Sequence, residues 1–368
     1  MRRARWLAPW RNSADKPAIY HCISRVVERR LAFGPAEREK FRTFMRMQER
    51  FSGCVVLAYC VMSNHVHLLL EVPPPPAGGL TDAELLRRLG ALYGSGGVTE
   101  VARELAEARA AGDETHAREI HARFAYRLHD LGGFMKGLMQ RFTQWFNRTH
   151  DRTGTLWEDR FKSVIVEDGA AARTVAAYID LNPVRAGMAE DPAGYRWSSY
   201  GEAVGGGAGG NGKKARAGLV RAYHGRLDRR DPAGWDGEVA AAYRRLLLGK
   251  AVEVTEEKPG KGGVPTRVVL RRGVKADRVA AGLAAIADDG VSGGDPLAAM
   301  LRHRVRYFTD GAVLGSRAFV DGVFARCRER FGPRRKSGAR RMRGHAAAAG
   351  DLIWSMRDLR ADICHKKT

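Results

Sequence analysis

Two short apolar runs, Val55-Val56-Leu57 and Leu68-Leu69-Leu70, flank the stretch Ser63-Asn64-His65-Val66-His67 and constrain the chain more than any other feature. Apolar flanks on both sides make His65 to about Val72 read as a buried strand, ended by the four prolines Pro73 to Pro76. Side chains alternate along a strand, so His65 and His67 point the same way while Val66 turns into the core. More than a hundred residues on, Tyr178-Ile179-Asp180-Leu181-Asn182-Pro183-Val184 reads as a helix end, because Pro183 disfavours helical geometry at Asn182. Tyr178 and Asn182 stand four apart and share one helix face. If that helix packs on that strand, two imidazoles, an amide oxygen and a phenol converge, which makes a metal site with a nucleophile beside it.

The surrounding pattern predicts strands at Ala18–Arg25, Cys54–Cys60, His65–Val72 and Lys162–Glu167, with helices over 36–51, 133–149 and 170–181. This is the βαββαβ order of a ferredoxin-like α+β domain, with one helix appended. An Ala-, Glu- and Arg-rich insertion over about 77–130 predicts three more helices of mixed charge. The domain reading is a basic lead-in over 1–16, expected to be poorly ordered, and a catalytic domain over 17–200 carrying the insertion. A glycine-rich linker over 201–215 and a basic, mainly α-helical domain over 216–368 follow. In that last part helices are predicted over 239–248, 274–286, 296–309 and 316–331, with a loop over 251–265. Phe308 to Val320, with glycines between two helical stretches, is compatible with a helix-turn-helix, against plain helical packing.

Lys and Arg number 63 against 41 Asp and Glu, a net charge of +22. Such an excess points to a polyanionic partner, most often nucleic acid. No apolar run approaches the ~20 residues of a membrane span, and the basic start lacks a secretion-type apolar segment. Five scattered cysteines without a Cys-x-x-Cys pair do not make a disulfide framework. The expected location is cytoplasmic, with no membrane partner.

Alone, His-x-His on a strand is a weak signal, and two core histidines are the plain alternative. Zinc lacks a third and fourth Cys or His at suitable spacing, whereas two imidazoles and an amide leave the open positions a catalytic metal needs. A lone helix tyrosine is packing more often than chemistry, and a phenol with a free pKa of about 10 needs a cation or base to become a nucleophile.

Four ordered motifs carry a resemblance: Ile19-Tyr20-His21, Val61 to His67, Arg152 to Lys162, and Tyr178 to Gly187. Over roughly 17–200 the chain resembles the single-tyrosine, IS200-like transposases of the HUH endonuclease superfamily, and among them the REP-associated tyrosine transposases. The resemblance implies that His65, His67 and Asn182 bind one Mg²⁺ or Mn²⁺ and that Tyr178 attacks a DNA phosphate. It implies a 5′-phosphotyrosine intermediate with a free 3′-OH, on single-stranded DNA beside a hairpin or palindrome, by a monomer or a homodimer.

Candidate DNA contacts are Trp157, Arg160 and Lys162, where an aromatic ring and two cations could stack a base and hold phosphates. Arg185 lies inside the tyrosine motif. Arg334, Arg335, Lys336, Arg340 and Arg341 form an acid-free run that suggests a phosphate-binding arm. A buried Trp with solvated cations remains the alternative. The whole is expected to be a metal-dependent DNA endonuclease and strand transferase. The other reading is a non-catalytic DNA-binding regulator on a transposase fold.

Overall fold

The computed structural model describes residues 5–13, 16–205, 211–225, 234–249, 253–259, 265–271, 273–284, 306–342 and 353–357. The elements up to the tyrosine helix are β1 (Ala18–Arg25), α1 (Pro35–Ser52), β2 (Val55–Val61), β3 (His65–Val72), α2 (Asp82–Leu89), α3 (Ser95–Ala110), α4 (Glu114–Ala125), α5 (Leu131–Thr149), β4 (Lys162–Val166) and α6 (Ala170–Asp180). Strands β2-β3-β1-β4 lie side by side in that order, every pair antiparallel. The α+β class and the βαββαβ order expected from the sequence are those observed.

Alternation along the strands divides the core in two. Tyr20, Cys22, Val66, Leu68, Leu70 and Ile165 face α1 and α5, where Phe41, Met45, Phe134, Leu138 and Phe142 meet them. Ile19, Leu69, Val164 and Val166 face the other way, onto Ala172, Val175, Ala176 and Ile179 of α6. The run of small alanines lets α6 lie close on the sheet. Its end is pinned by the buried Asp180 carboxylate, which accepts from the Tyr200 backbone N–H (2.9 Å) and the Tyr243 hydroxyl (2.8 Å).

After α6 come α7 (Asn182–Arg185), α8 (Ser199–Gly205), α9 (Asn211–His224), α10 (Gly237–Leu248), β5 (Val254–Pro259), β6 (Pro265–Arg271), α11 (Ala276–Ala284), α12 (Arg306–Thr309), β7 (Gly311–Gly315), α13 (Arg317–Arg326), β8 (Arg340–Arg341) and β9 (Trp354–Arg357). Pro183 ends α6 as expected, yet it sits in the first turn of α7, where a missing N–H costs nothing. Helix α9 crosses the back of β2 so closely that a Cβ at Gly218 would lie 2.5 Å from the Val56 carbonyl oxygen. Arg221 of α9 is fully buried and meets Glu71 of β3 (Nε–Oε2, 3.0 Å) and Asp168 (2.7 Å).

Several expectations are corrected. The segment 308–320 is not a helix-turn-helix: Gly311–Gly315 is a strand that pairs in parallel with β4. Ala312-Val313-Leu314 is an apolar run too short for periodicity to separate strand from helix, and β4 offered an unpaired edge for it to cover. Strands β9 and β8 extend the same sheet, giving the order β2-β3-β1-β4-β7-β9-β8, so the C-terminal part contributes sheet as well as helices. Residues 254–259 and 265–271, within and just beyond the expected loop, pair as a hairpin. In the lead-in, Trp6 is buried against Phe331 with the Arg330 guanidinium 3.9 Å above its ring, so the described residues 5–13 include a packed anchor. Its backbone is held too: the Ala8 N–H donates to the Tyr20 hydroxyl.

The insertion is helical as expected and forms its own small core of Leu85, Leu89, Leu105, Ala108, Ala117 and Ile120 against Phe51 of α1. Of the expected linker over 201–215, residues 201–205 and 211–215 are instead helical, in α8 and α9, while 206–210, the expected helical residues 285–286 and 296–305, and Cys364 lie outside the described residues. The other four cysteines are free and buried. Among the described residues no helix is long and apolar enough to cross a membrane.

Candidate active site

The antiparallel register between β1 and β3 sets Arg25 opposite His65, Ile23 opposite His67 and His21 opposite Leu69. All six side chains therefore share the sheet face that α6 covers. His21 and His67 are diagonal neighbours on that face, within reach of long side chains. Their rings meet edge to edge, with Nε2 of His21 3.0 Å from Nδ1 of His67. Tyr178 comes down from α6 with its ring centroid 6.0 Å from each of those imidazoles, both contacts edge-on. The His65 and His67 centroids are 5.0 Å apart.

The tautomer of His65 follows from its neighbours. Asn64 donates Nδ2–H to the Arg29 carbonyl (2.8 Å), which leaves its Oδ1 facing Nδ1 of His65 at 2.7 Å. An amide oxygen only accepts, so Nδ1 of His65 carries the proton and its Nε2 presents a lone pair. Nδ1 of His67 is engaged by His21, so Nε2 is the nitrogen left to it. Burial holds all three rings neutral: His21 and His65 fall to about 4 and His67 falls well below its usual value. Neutral imidazoles with one lone pair each are the form that binds a metal.

This donor set suits an ion that keeps open positions. Among the described residues no cluster of three or more His, Cys, Asp or Glu is placed to hold a metal. The two Nε2 atoms are thus joined at most by an amide. Asn182 turns its Nδ2 back onto the end of α6, donating to the carbonyls of Tyr178 (3.1 Å) and Ile179 (3.3 Å), so only its Oδ1 remains for a ligand role.

Tyr178 is 0% exposed, and among the described residues its hydroxyl has no hydrogen-bond partner. Burial pushes the phenol up to about 12, against the pull of the Arg185 guanidinium, which lies 5.1 Å from the ring centroid. The cover is Phe308 of α12, whose ring stacks on Tyr178 with centroids 4.3 Å apart and planes at 15°. The Phe308 carbonyl oxygen lies 2.9 Å from Nδ1 of His21.

The other candidates scatter. Trp157 packs among Phe33, Phe41 and Phe142 and donates Nε1–H to Thr143 (2.9 Å), so its half-buried ring rests against the core. Arg160 and Lys162 are exposed, with Lys162 3.4 Å from Asp310. Arg185 joins the site. Arg334, Lys336, Arg340 and Arg341 are exposed, while Arg335 is half-buried over the Phe331 ring. This run lies by β8, five strands from β3, hence ~24 Å across the sheet at the usual strand spacing.

The sequence reading assigned no role to His21, Arg25 or Phe308. His21 had a signal, since it sits on the same strand face as Arg25 and Ile23. Only the β1–β3 register turns that into a contact with His67, and Phe308 arrives from a segment 130 residues beyond the tyrosine.

Residues 16–77, which span β1 to β3, match the family model described as Transposase IS200 like. A solved structure of a REP-associated tyrosine transposase bound to a REP hairpin matches at 12% sequence identity and a TM-score of 0.34. The match covers 56% of this chain and 85% of that one. Comparison with curated proteins gave no match. The family resemblance read from the sequence over roughly 17–200 is borne out over residues 16–77, the segment that carries His21, His65 and His67 and matches the IS200-like transposase model.

Proposed function

We propose that the chain is a metal-dependent, tyrosine-based endonuclease and strand transferase acting on single-stranded, hairpin-bearing DNA. The observation that supports this most is the placement of Tyr178 at 6.0 Å from the His67 ring, which itself lies 5.0 Å from the His65 ring between centroids, inside a basic protein. Mg²⁺ or Mn²⁺ held by His65 and His67, with Asn182 Oδ1 as the third protein ligand, would polarise the scissile phosphate as a Lewis acid.

The Tyr178 oxygen attacks phosphorus, forming the phosphotyrosine ester as the P–O3′ bond breaks. The departing 3′ oxygen ends as a hydroxyl, and the phenol proton balances it. Because one phosphate ester replaces another, a second 3′-OH can reverse the step on a different strand without a nucleotide cofactor. Arg185 over the ring and Arg25 near it favour the phenolate that burial opposes. Since Tyr178 is covered by Phe308, DNA reaches it only after α12 moves aside.

The test is a denaturing gel of the full chain with labelled single-stranded hairpins from the DNA flanking its own gene, with and without Mn²⁺. A metal-dependent covalent adduct, absent in Tyr178→Phe, is expected. The buried, capped phenol favours one other reading, a DNA-binding regulator without tyrosine chemistry. Tight, salt-sensitive hairpin binding with no adduct in the wild type would establish that reading instead.

A further inference from the structure

Resting on the reading of His67 as a metal ligand, we infer that His21 is a positioning residue that sets the His67 imidazole for binding through Nε2. Its own anchor is a backbone carbonyl of the C-terminal part of the chain.

The relay has a single consistent direction. The Phe308 carbonyl can only accept, so Nδ1 of His21, 2.9 Å away, carries a proton and donates it. Nε2 of a ring protonated at Nδ1 is then the acceptor, and it faces Nδ1 of His67 at 3.0 Å. A hydrogen bond there places the proton on Nδ1 of His67 and the lone pair on its Nε2. A ligand imidazole bound through Nε2 needs that same arrangement, so the two requirements agree without a change in protonation.

The ring geometry supports a bond over mere stacking. The planes of His21 and His67 differ by 23° and their centroids stand 5.2 Å apart. That separation exceeds the nitrogen–nitrogen distance by about two ring radii, so the contact runs edge to edge in the ring planes. His21 is also fully buried on a strand where its face neighbours Ile19 and Ile23 are aliphatic. A polar ring there is costly unless both nitrogens are satisfied, and both are. Outer partners of this kind fix ligand orientation, and losing them typically weakens metal binding about 10–100-fold. The anchor ties the ligand strand to α12, outside the segment that matches the family model.

Mn²⁺ binding to the full chain, followed by the electron paramagnetic resonance signal of the free ion, tests this without any DNA. His21→Leu fills the same space without polar atoms and is expected to weaken binding at least tenfold. His21→Gln, whose amide oxygen can accept from Nδ1–H of His67, is expected to recover most of it. A packing role predicts the reverse order, with Leu as good as the wild type and Gln worse, and that result overturns the inference. Imidazole ¹⁵N shifts of the unmutated protein provide a check that no folding defect can confuse. Nδ1 of both His21 and His67 is expected to be protonated, and a protonated Nε2 on His67 would refute the relay. Absence of Mn²⁺ binding by the wild type would instead remove the metal site of the proposed function, and this inference with it.

Discussion

Phe308→Ala tests what keeps the phenol out of reach. The Phe308 ring is 1% exposed and stacked on Tyr178. Burying a phenylalanine side chain contributes about 1.5–3 kcal/mol, and an aromatic stack adds about 0.5–1.5 kcal/mol. The ring thus favours the closed position of α12 by roughly 2–4 kcal/mol. At ~1.4 kcal/mol per factor of ten, its removal raises the open fraction by roughly 30- to 1,000-fold. In the closed position the backbone carbonyl that accepts from His21 is retained, since the substitution changes only the side chain. Two readouts apply: nitration of Tyr178, located by peptide mapping, and the single-turnover rate of adduct formation on a hairpin with Mn²⁺. Both are expected to rise at least tenfold, the second until opening no longer limits it. Unchanged nitration would refute the idea that this ring is the cover. Faster nitration with a slower adduct would mean that the ring also serves the DNA.

Other outcomes follow from the same contacts. Tyr178→Phe removes a buried hydroxyl that has no partner among the described residues, so urea unfolding is expected to show equal stability or a gain of about 1–2 kcal/mol, since an unsatisfied buried group costs about that much. A loss above 1 kcal/mol would point to a hydroxyl partner. Arg221→Met removes the guanidinium that meets the buried Glu71 carboxylate on the histidine strand and is expected to cost about 3–5 kcal/mol in the same assay. Adding Glu71→Leu is expected to recover much of that loss. His21 and His65 are held at about 4 when folded against 6.5 unfolded, so between those values the unfolded chain binds more protons. Stability of the metal-free protein is therefore full above pH 6.5 and falls as pH drops toward 4, by about 3 kcal/mol for each histidine. Urea melts at pH 7 and pH 4 in the presence of a chelator measure it, and a pH-independent midpoint would contradict the burial.

The N-terminal half of the fold was legible because its signals are local. Alternation in Ala18–Arg25 and His65–Val72 and the proline after Asn182 act within a few residues, and outside the insertion the helices and strands appear within two residues of their expected bounds. The C-terminal strands were not legible. Gly311–Gly315 becomes a strand because β4 has an open edge, and its five residues do not advertise that partner. The site divides in the same way. His67 and Tyr178 could be paired by face arithmetic, whereas the His21 bond depends on strand register and the Phe308 cover on a contact spanning 130 residues. Trp157 shows the converse: aromatic and flanked by cations, it looks like a base platform in sequence, yet three phenylalanines claim its ring.

The most direct test of the central claim is the polarity and the site of the covalent bond. Single-stranded hairpin DNA labelled at either the 5′ or the 3′ end is incubated with the full chain and Mn²⁺, and the adduct is digested and mapped by mass spectrometry. Attack by Tyr178 predicts that only the 3′-labelled fragment stays on the protein, joined through its 5′ phosphate to the peptide containing Tyr178, while the 5′-labelled fragment leaves with a free 3′-OH. Cleavage that persists in Tyr178→Phe, or an adduct mapped to another residue, would contradict the account.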